Sequence, residues 1–446
     1  MIAPRQDRDR EPGPSERLPS PDLAGLAALR VLVGASCACA CVLFWLRPAL
    51  LDGFLTGPAR FSYPGFAWVR PPPPGLTFVL PLVGLLLSAC VTLGLWFRVA
   101  APLLALGASY VFLLDATFYL STFYGLCLVL VLLACSPAHH LASLDARRSP
   151  DGCDGRGAAL ALGLLRFQVI AVYAFAGLAK WDDDWLAGRV LAAMLAPERK
   201  GFIAATLPLE PALVTMAWIG MLIDLFAPAA ILWRRTRVLA LLAIVVFHVH
   251  NALSFRLGGI PWLMLVLTTV LLPAGWPRRL VRLPPSPPTT AAARPWRVVA
   301  AIWVALQIAI PLRHHLFPGR PYFHFCGVQF SWALRTFARV ASTTFLVRDR
   351  ATGETRELPF GPALHPKQRA RAMGRPDLIW QEAQRIAAEA RAAGRDVEVR
   401  ARATVALSGR PPSPLVDPTV DLARAPRHML GMPPWVRPSP DRERAP

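Results

Sequence analysis

The sequence predicts an all-α polytopic membrane bundle of eight or nine transmembrane helices, with a small α+β extracytoplasmic module at its C-terminal end. Three observations carry this. The chain of 446 residues is 54% hydrophobic and only 17% charged. Its apolar residues gather in separate runs near the roughly 20 residues needed to cross a bilayer. From about residue 343 the composition becomes that of a water-soluble domain, with strand-like alternation and an amphipathic helix.

Residues 1–21 are polar and proline-rich with no apolar run, so they read as a disordered tail without a cleavable signal peptide. Apolar runs follow at 23–46, 75–97, 99–114, 122–137, 158–180, 212–233, 238–255, 260–273 and 298–312. Those near 15 residues are thin, tilted or re-entrant spans, hence eight or nine. Arginine placement orients them. With Arg5, Arg8, Arg10 and Arg17 inside, the loops holding Arg98, Arg147 and Arg148, Arg234, Arg235 and Arg237, and Arg278, Arg279 and Arg282 are all cytoplasmic. The end of the fifth span and everything after the ninth then lie outside. The membrane domain is bounded at 22–340.

In the module, 343–348 and 354–358 flank Thr352-Gly353, a hairpin turn. Residues 376–393 read as a helix with Ile379, Ala383, Ile386 and Ala390 on one face, ended by Gly394. Residues 397–405 alternate as a half-buried strand. This unit spans 341–425, and a Pro/Arg-rich disordered tail, 426–446, follows it.

The net charge of +20 rests on arginine. Together with the alanine and proline content it fits a GC-rich, bacterial-type genome, and no aromatic-interleaved basic stripe points to nucleic acid. Cys37, Cys39, Cys41, Cys90 and Cys127 lie inside apolar runs and Cys135 ends one, so they read as small packing residues rather than a metal cluster. A bond between Cys153 and Cys326 does not follow from sequence.

Only three lysines occur, Lys180, Lys200 and Lys367, and Lys180 closes the fifth apolar run. Arginine stays protonated at any biological pH, whereas a desolvated lysine loses its proton, so Lys180 is one of few cations here able to act as a base. The alternative is a snorkelling lysine that marks a helix end. Other polar groups at membrane depth are His139-His140, Asp224, the segment from Phe247 to Asn251, and Phe330-Ser331-Trp332. Asp224 pairs with a neighbouring helix or relays protons. His248 and His250 stand at i, i+2 and so do not share a helix face, which argues against zinc. Asp182 to Asp184 read as a solvated interfacial face.

The segment from Ala176 through Lys180, Trp181, Asp182, Asp183, Asp184 and Trp185 to Gly188 resembles the active-site lysine segment of vitamin K-dependent γ-glutamyl carboxylases, whose membrane part is the horizontally transferred transmembrane (HTTM) domain. Residues 247–265 resemble the family's His-and-Asn segment, 276–280 its following basic loop, and 138–145 the stretch with its catalytic histidine, which falls on His140. Residues 347–354 and 416–422 resemble the C-terminal domain of carboxylases proper. The chain departs from the family at Ala179, where a second lysine is frequent, and at 118–124, where an Asn/His stretch is usual.

The resemblance implies an integral-membrane enzyme that couples oxygenation of vitamin K hydroquinone (reduced menaquinone or phylloquinone) by O2 to CO2 addition at a protein glutamate. The implied catalytic residues are Lys180 and His140, with His248, His250, Asn251, Trp332, Asp182 and Trp185 binding cofactor or substrate and no metal. Its partners are a glutamate-containing peptide and membrane lipids. A cofactor is needed because even neutral lysine, conjugate to an acid of pKa about 10.4, cannot deprotonate carbon beside a carboxylate. For Lys180 to act, burial must outweigh the pull of Asp182 to Asp184. Two other readings stay open: a membrane quinone-dependent oxidoreductase that carboxylates no protein, and a non-enzymatic polytopic protein. The expected topology also sets His140 near the cytoplasmic end and Lys180 near the opposite end, which does not give one compact site.

Overall fold

The computed structural model describes residues 22–46, 59–73, 76–149, 155–195, 197–255, 257–334, 336–428 and 431–440. The N-terminal tail with its four arginines and Cys153 lie outside them. The apolar runs all form helices: α1 Ala24–Trp45, α2 Val79–Leu93, α3 Phe97–Leu113, α4 Ser121–Ala134, α5 Ala158–Ala179, then, after the one-turn α6 Asp183–Leu186, α7 Leu209–Leu232, α8 Arg237–Ser254, α9 Ile260–Thr268 and α10 Arg294–Leu312. Among the described residues five are long and apolar enough to cross a membrane: α1, α5, α7, α8, and α10 with its 3-10 extension to Leu316. The remaining four are shorter, so helix length alone does not carry a count of eight or nine spans. The run at 75–97 is cut by left-handed backbone at Gly94 (φ 64°) and Trp96 (φ 48°).

The bundle packs around α5, which meets α4, α7 and α10. Arg30, fully buried in α1, donates to the carbonyls of Val91, Thr92, Ala138 and Ala142, tying α1 to the end of α2 and to the loop after α4. Each carbonyl accepts from the guanidinium, which is how a charge is held at that depth.

The module is a four-stranded antiparallel sheet in the order β2-β1-β3-β4, with β1 Arg339–Asp349, β2 Thr355–Pro359, β3 Val397–Leu407 and β4 Ser413–Pro414. The hairpin forms where turn chemistry places it, with Gly353 at φ 73°. Helices α11 Pro366–Ala372 and α12 Pro376–Ala392 complete the module. Ile379, Ala383, Ile386 and Ala390 of α12 are buried, as are Val397, Val399, Ala401, Ala403 and Val405 of β3. The segment after 425 departs from the unstructured tail that its composition suggests. Within 431–440, Trp435 and Val436 are buried and Val436 bridges Val416, because one tryptophan buries enough area to anchor a short aperiodic segment.

The module is seated on the membrane domain. Phe61 stacks against Phe360, Gln381 exchanges two hydrogen bonds with the backbone of Ser62, and Gln368 donates to Asp115 at 2.8 Å.

Candidate functional site

Helix α5 is 22 residues of almost unbroken apolar sequence that ends on Lys180. Gly177, one turn earlier, lets α7 approach: a Cβ there would stand 2.7 Å from the Leu225 side chain and 3.1 Å from its backbone nitrogen. That approach brings Lys180 Nζ onto Asp224 Oδ2, both side chains being about 95% buried (6% and 5% exposed). Trp185 lies beneath Lys180 Nζ, its ring centroid 5.3 Å away and its Nε1 donating to the Ala217 carbonyl at 3.0 Å.

The three consecutive aspartates are not one solvated face. Asp182 caps α6, accepting from the Asp184 backbone N–H at 2.9 Å. Asp183 is exposed. Asp184 is buried and takes Arg189 on Oδ1 and Arg320 and Arg410 on Oδ2. Burial alone pushes the Asp184 carboxyl up, but these arginines outweigh it and hold it below the ordinary range. The carboxylate that meets Lys180 comes from α7 instead.

Lys180, Trp185, Asp224, His248, His250, Asn251 and Trp332 all line one cavity of about 770 Å³, within the size range of small-molecule sites. Asp182 and His140 do not. Its walls are largely apolar, from Val172, Met216, Ile223, Met264 and Phe337. Helix α8 splits its histidines as the i, i+2 spacing requires: His248 is buried and His250 exposed, with Nδ1 3.4 Å from Ser254 Oγ. Among the described residues no three His, Cys, Asp or Glu side chains stand together as a metal site. Trp332 is 1% exposed and stacks on Tyr124 at 4.9 Å, so it is a buried wall rather than an interface anchor. Where the carboxylases carry an Asn/His stretch, Tyr119, Ser121 and Thr122 turn this wall to hydroxyl chemistry.

His140 sits elsewhere. Helix α4 begins at the cavity, at Ser121, and carries the chain about 20 Å away over its 14 residues. Beyond its far end His140 packs on His139, 4.1 Å between ring centroids, and Arg98 Nε reaches His139 Nε2 at 3.2 Å. Burial, then the His140 and Arg98 charges, push His139 down to about 4.

Sequence reasoning missed two features. Tyr173, two helical turns before Lys180 on the same face of α5, hydrogen-bonds His248 Nε2 at 2.7 Å; its spacing of seven from Lys180 was the available signal. At the module end the cavity is lined by Arg339, Arg371 and Arg375, which reach it only through the docking of β1, α11 and α12. Arg339 stands 5.5 Å over the Phe325 ring, and burial, then the Arg375 charge, hold its guanidinium down to about 9.

Residues 19–276 match the HTTM domain family, and residues 293–442 match the lumenal domain of vitamin K-dependent gamma-carboxylase. No solved structure matches the chain. The two matches meet between α9 and α10, and the cavity draws its lining from both sides of that junction.

Proposed function

The chain belongs to the HTTM family of vitamin K-dependent γ-carboxylase-type membrane proteins, and from that premise we propose that it is a γ-glutamyl carboxylase that takes reduced vitamin K in the cavity and a glutamyl peptide from the module side. The observation that carries this is the Lys180–Asp224 pair, set in a largely apolar cavity that runs to the arginines of the module. The residues fit the group: apolar walls suit the ring and its hydrocarbon substituent, and a few convergent polar side chains suit its two oxygens. When bound, reduced vitamin K supplies on reaction with O2 the base strong enough to remove a γ-proton, which no side chain can.

The protein's share is positioning and proton handling. Lys180 Nζ would be the acceptor for a ring-hydroxyl proton, a role open only to the amine form. Its contact with Asp224 would give the ammonium proton a place to go, and a neutral amine beside a neutral acid leaves no isolated charge at this buried pair. His248 and Asn251 would hold the ring oxygens from α8. Trp185 and Trp332, both buried, would give the ring aromatic surface to pack on. Arg339, Arg371 and Arg375 draw an acidic side chain in from the module end. His140, about one helix length away, does not line the cavity and has no part in this reading.

Purified protein given reduced vitamin K, a glutamyl peptide and labelled CO2 tests the reading. Label in the peptide supports it. Epoxide without label leaves a quinone-dependent oxidoreductase, and neither product removes the enzyme reading.

A further inference from the structure

Tyr173 stands between two other buried polar side chains, and the three contacts there have only one consistent set of protons. Its hydroxyl lies 2.7 Å from His248 Nε2 and 2.9 Å from Thr268 Oγ1, and Thr268 Oγ1 lies 2.7 Å from the Met264 carbonyl. Tyr173, Thr268 and His248 are 1%, 1% and 6% exposed, so water does not settle the matter. A carbonyl only accepts. The Thr268 proton therefore points at Met264, since without it two oxygens would face each other at 2.7 Å with no hydrogen between them. Thr268 then has no proton for Tyr173 and accepts the phenol's instead. With the phenol proton spent, the contact to His248 is a hydrogen bond only if Nε2 carries a hydrogen.

We infer that Tyr173 and Thr268 act as positioning residues that lock His248 as its Nε2–H tautomer, leaving Nδ1 as an acceptor for a hydroxyl-bearing ligand in the cavity. Among the described residues Nδ1 has no hydrogen-bond partner. Resting on the quinone-site reading above, this assigns His248 the role of accepting one ring hydroxyl while Lys180 faces the other. Tyr173 and Thr268 act through the imidazole.

The tautomer is directly readable. Protein carrying 15N-histidine in lipid bilayers is examined by solid-state NMR, and His248 is assigned by difference from His248→Gln. The expected result is an unprotonated Nδ1 and a protonated Nε2. Thr268→Val, nearly isosteric, removes the acceptor of the Tyr173 proton, so Tyr173 should turn its hydroxyl to Nε2 and move the proton of His248 to Nδ1. Epoxide formation should fall roughly tenfold with it, the weight of one hydrogen bond, although His248 and Tyr173 are both intact. A wild-type Nδ1–H signal, a doubly protonated ring, or an unchanged tautomer in Thr268→Val would overturn the inference. Because the tautomer is read without turnover, the absence of epoxide in wild type would count against the quinone reading alone.

Discussion

Lys180 and Asp224 meet across the α5–α7 contact with both side chains about 95% buried (6% and 5% exposed). A lysine in this position has one chemical property arginine lacks, a neutral form within reach. Lys180→Arg should therefore be nearly as inactive as Lys180→Ala in epoxide formation and in carboxylation, both measured on purified protein. An arginine variant that retained substantial epoxidation while alanine lost it would make Lys180 an electrostatic cation and send the search for the base to His248 or His250, the histidines that line the cavity.

Removing one member of a buried pair strands the other. Asp224→Leu should cost about 3–5 kcal/mol, visible as a lower unfolding midpoint in detergent. Lys180→Met with Asp224→Leu should recover most of that loss by replacing the pair with packed apolar groups, and remain inactive. Failure of the double variant to recover would mean that the pair is held by more than its own charges.

The pair also depends on how closely the helices approach. Gly177→Ala places a methyl group 2.7 Å from the Leu225 side chain, so α5 and α7 must separate by a few tenths of an ångström or more. The expected outcome is a folded, membrane-inserted protein with carboxylation reduced by roughly tenfold or more, since small misplacements at a reacting centre are costly. Wild-type activity in Gly177→Ala would show that the α7 side of the pair tolerates movement.

The fold was legible where period and composition act locally. The α12 face of Ile379, Ala383, Ile386 and Ala390 and the β3 alternation appear as read, because each follows from which residues one element buries. Lys180, His248, Asn251 and Trp332, singled out in the sequence, share one cavity. What sequence did not yield was pairing. Three aspartates within four residues of Lys180 looked like its electrostatic neighbours, yet one caps a helix, one is exposed and one binds three arginines, while the true partner lies 44 positions away on α7. The packing of α5 on α7, and the docking of the module that brings Arg339 to the cavity, are long-range events that local patterns do not encode.

From the arginines of the loops we propose that the module is extracytoplasmic. A reporter fused after Leu422 should report an extracytoplasmic location, and a cytoplasmic signal would overturn the topology. Deleting from Thr343 onward should leave the bundle inserted but abolish peptide carboxylation, because the deletion removes Arg371 and Arg375 from the cavity and uncovers Phe61 and Asp115. Full activity in the truncated protein would reject a part for the module in presenting the peptide.

Asp184 joins three separated pieces of chain at one carboxylate: Arg189 from the start of the next short helix, Arg320 from the segment after α10, and Arg410 from the β3–β4 turn of the module. Its neighbour Trp185 lies under Lys180, so the clamp links module seating to the position of Lys180. The folded protein holds this carboxyl below its ordinary value. A depressed folded pKa contributes stability that is complete above the unfolded value of about 3.9 and is lost as pH falls through the folded value. Asp184→Asn should therefore unfold earlier than wild type by roughly 1.5–3 kcal/mol at neutral pH. The gap should stay constant down to about pH 4 and close below it, as followed by thermal unfolding in detergent across that range. A gap that closed between pH 6 and 8 would place the responsible charge on a histidine rather than on Asp184. Arg410→Gln should lose part of the same stability and raise KM for the peptide more than it lowers kcat, since it loosens the module while leaving Lys180 and Asp224 in contact.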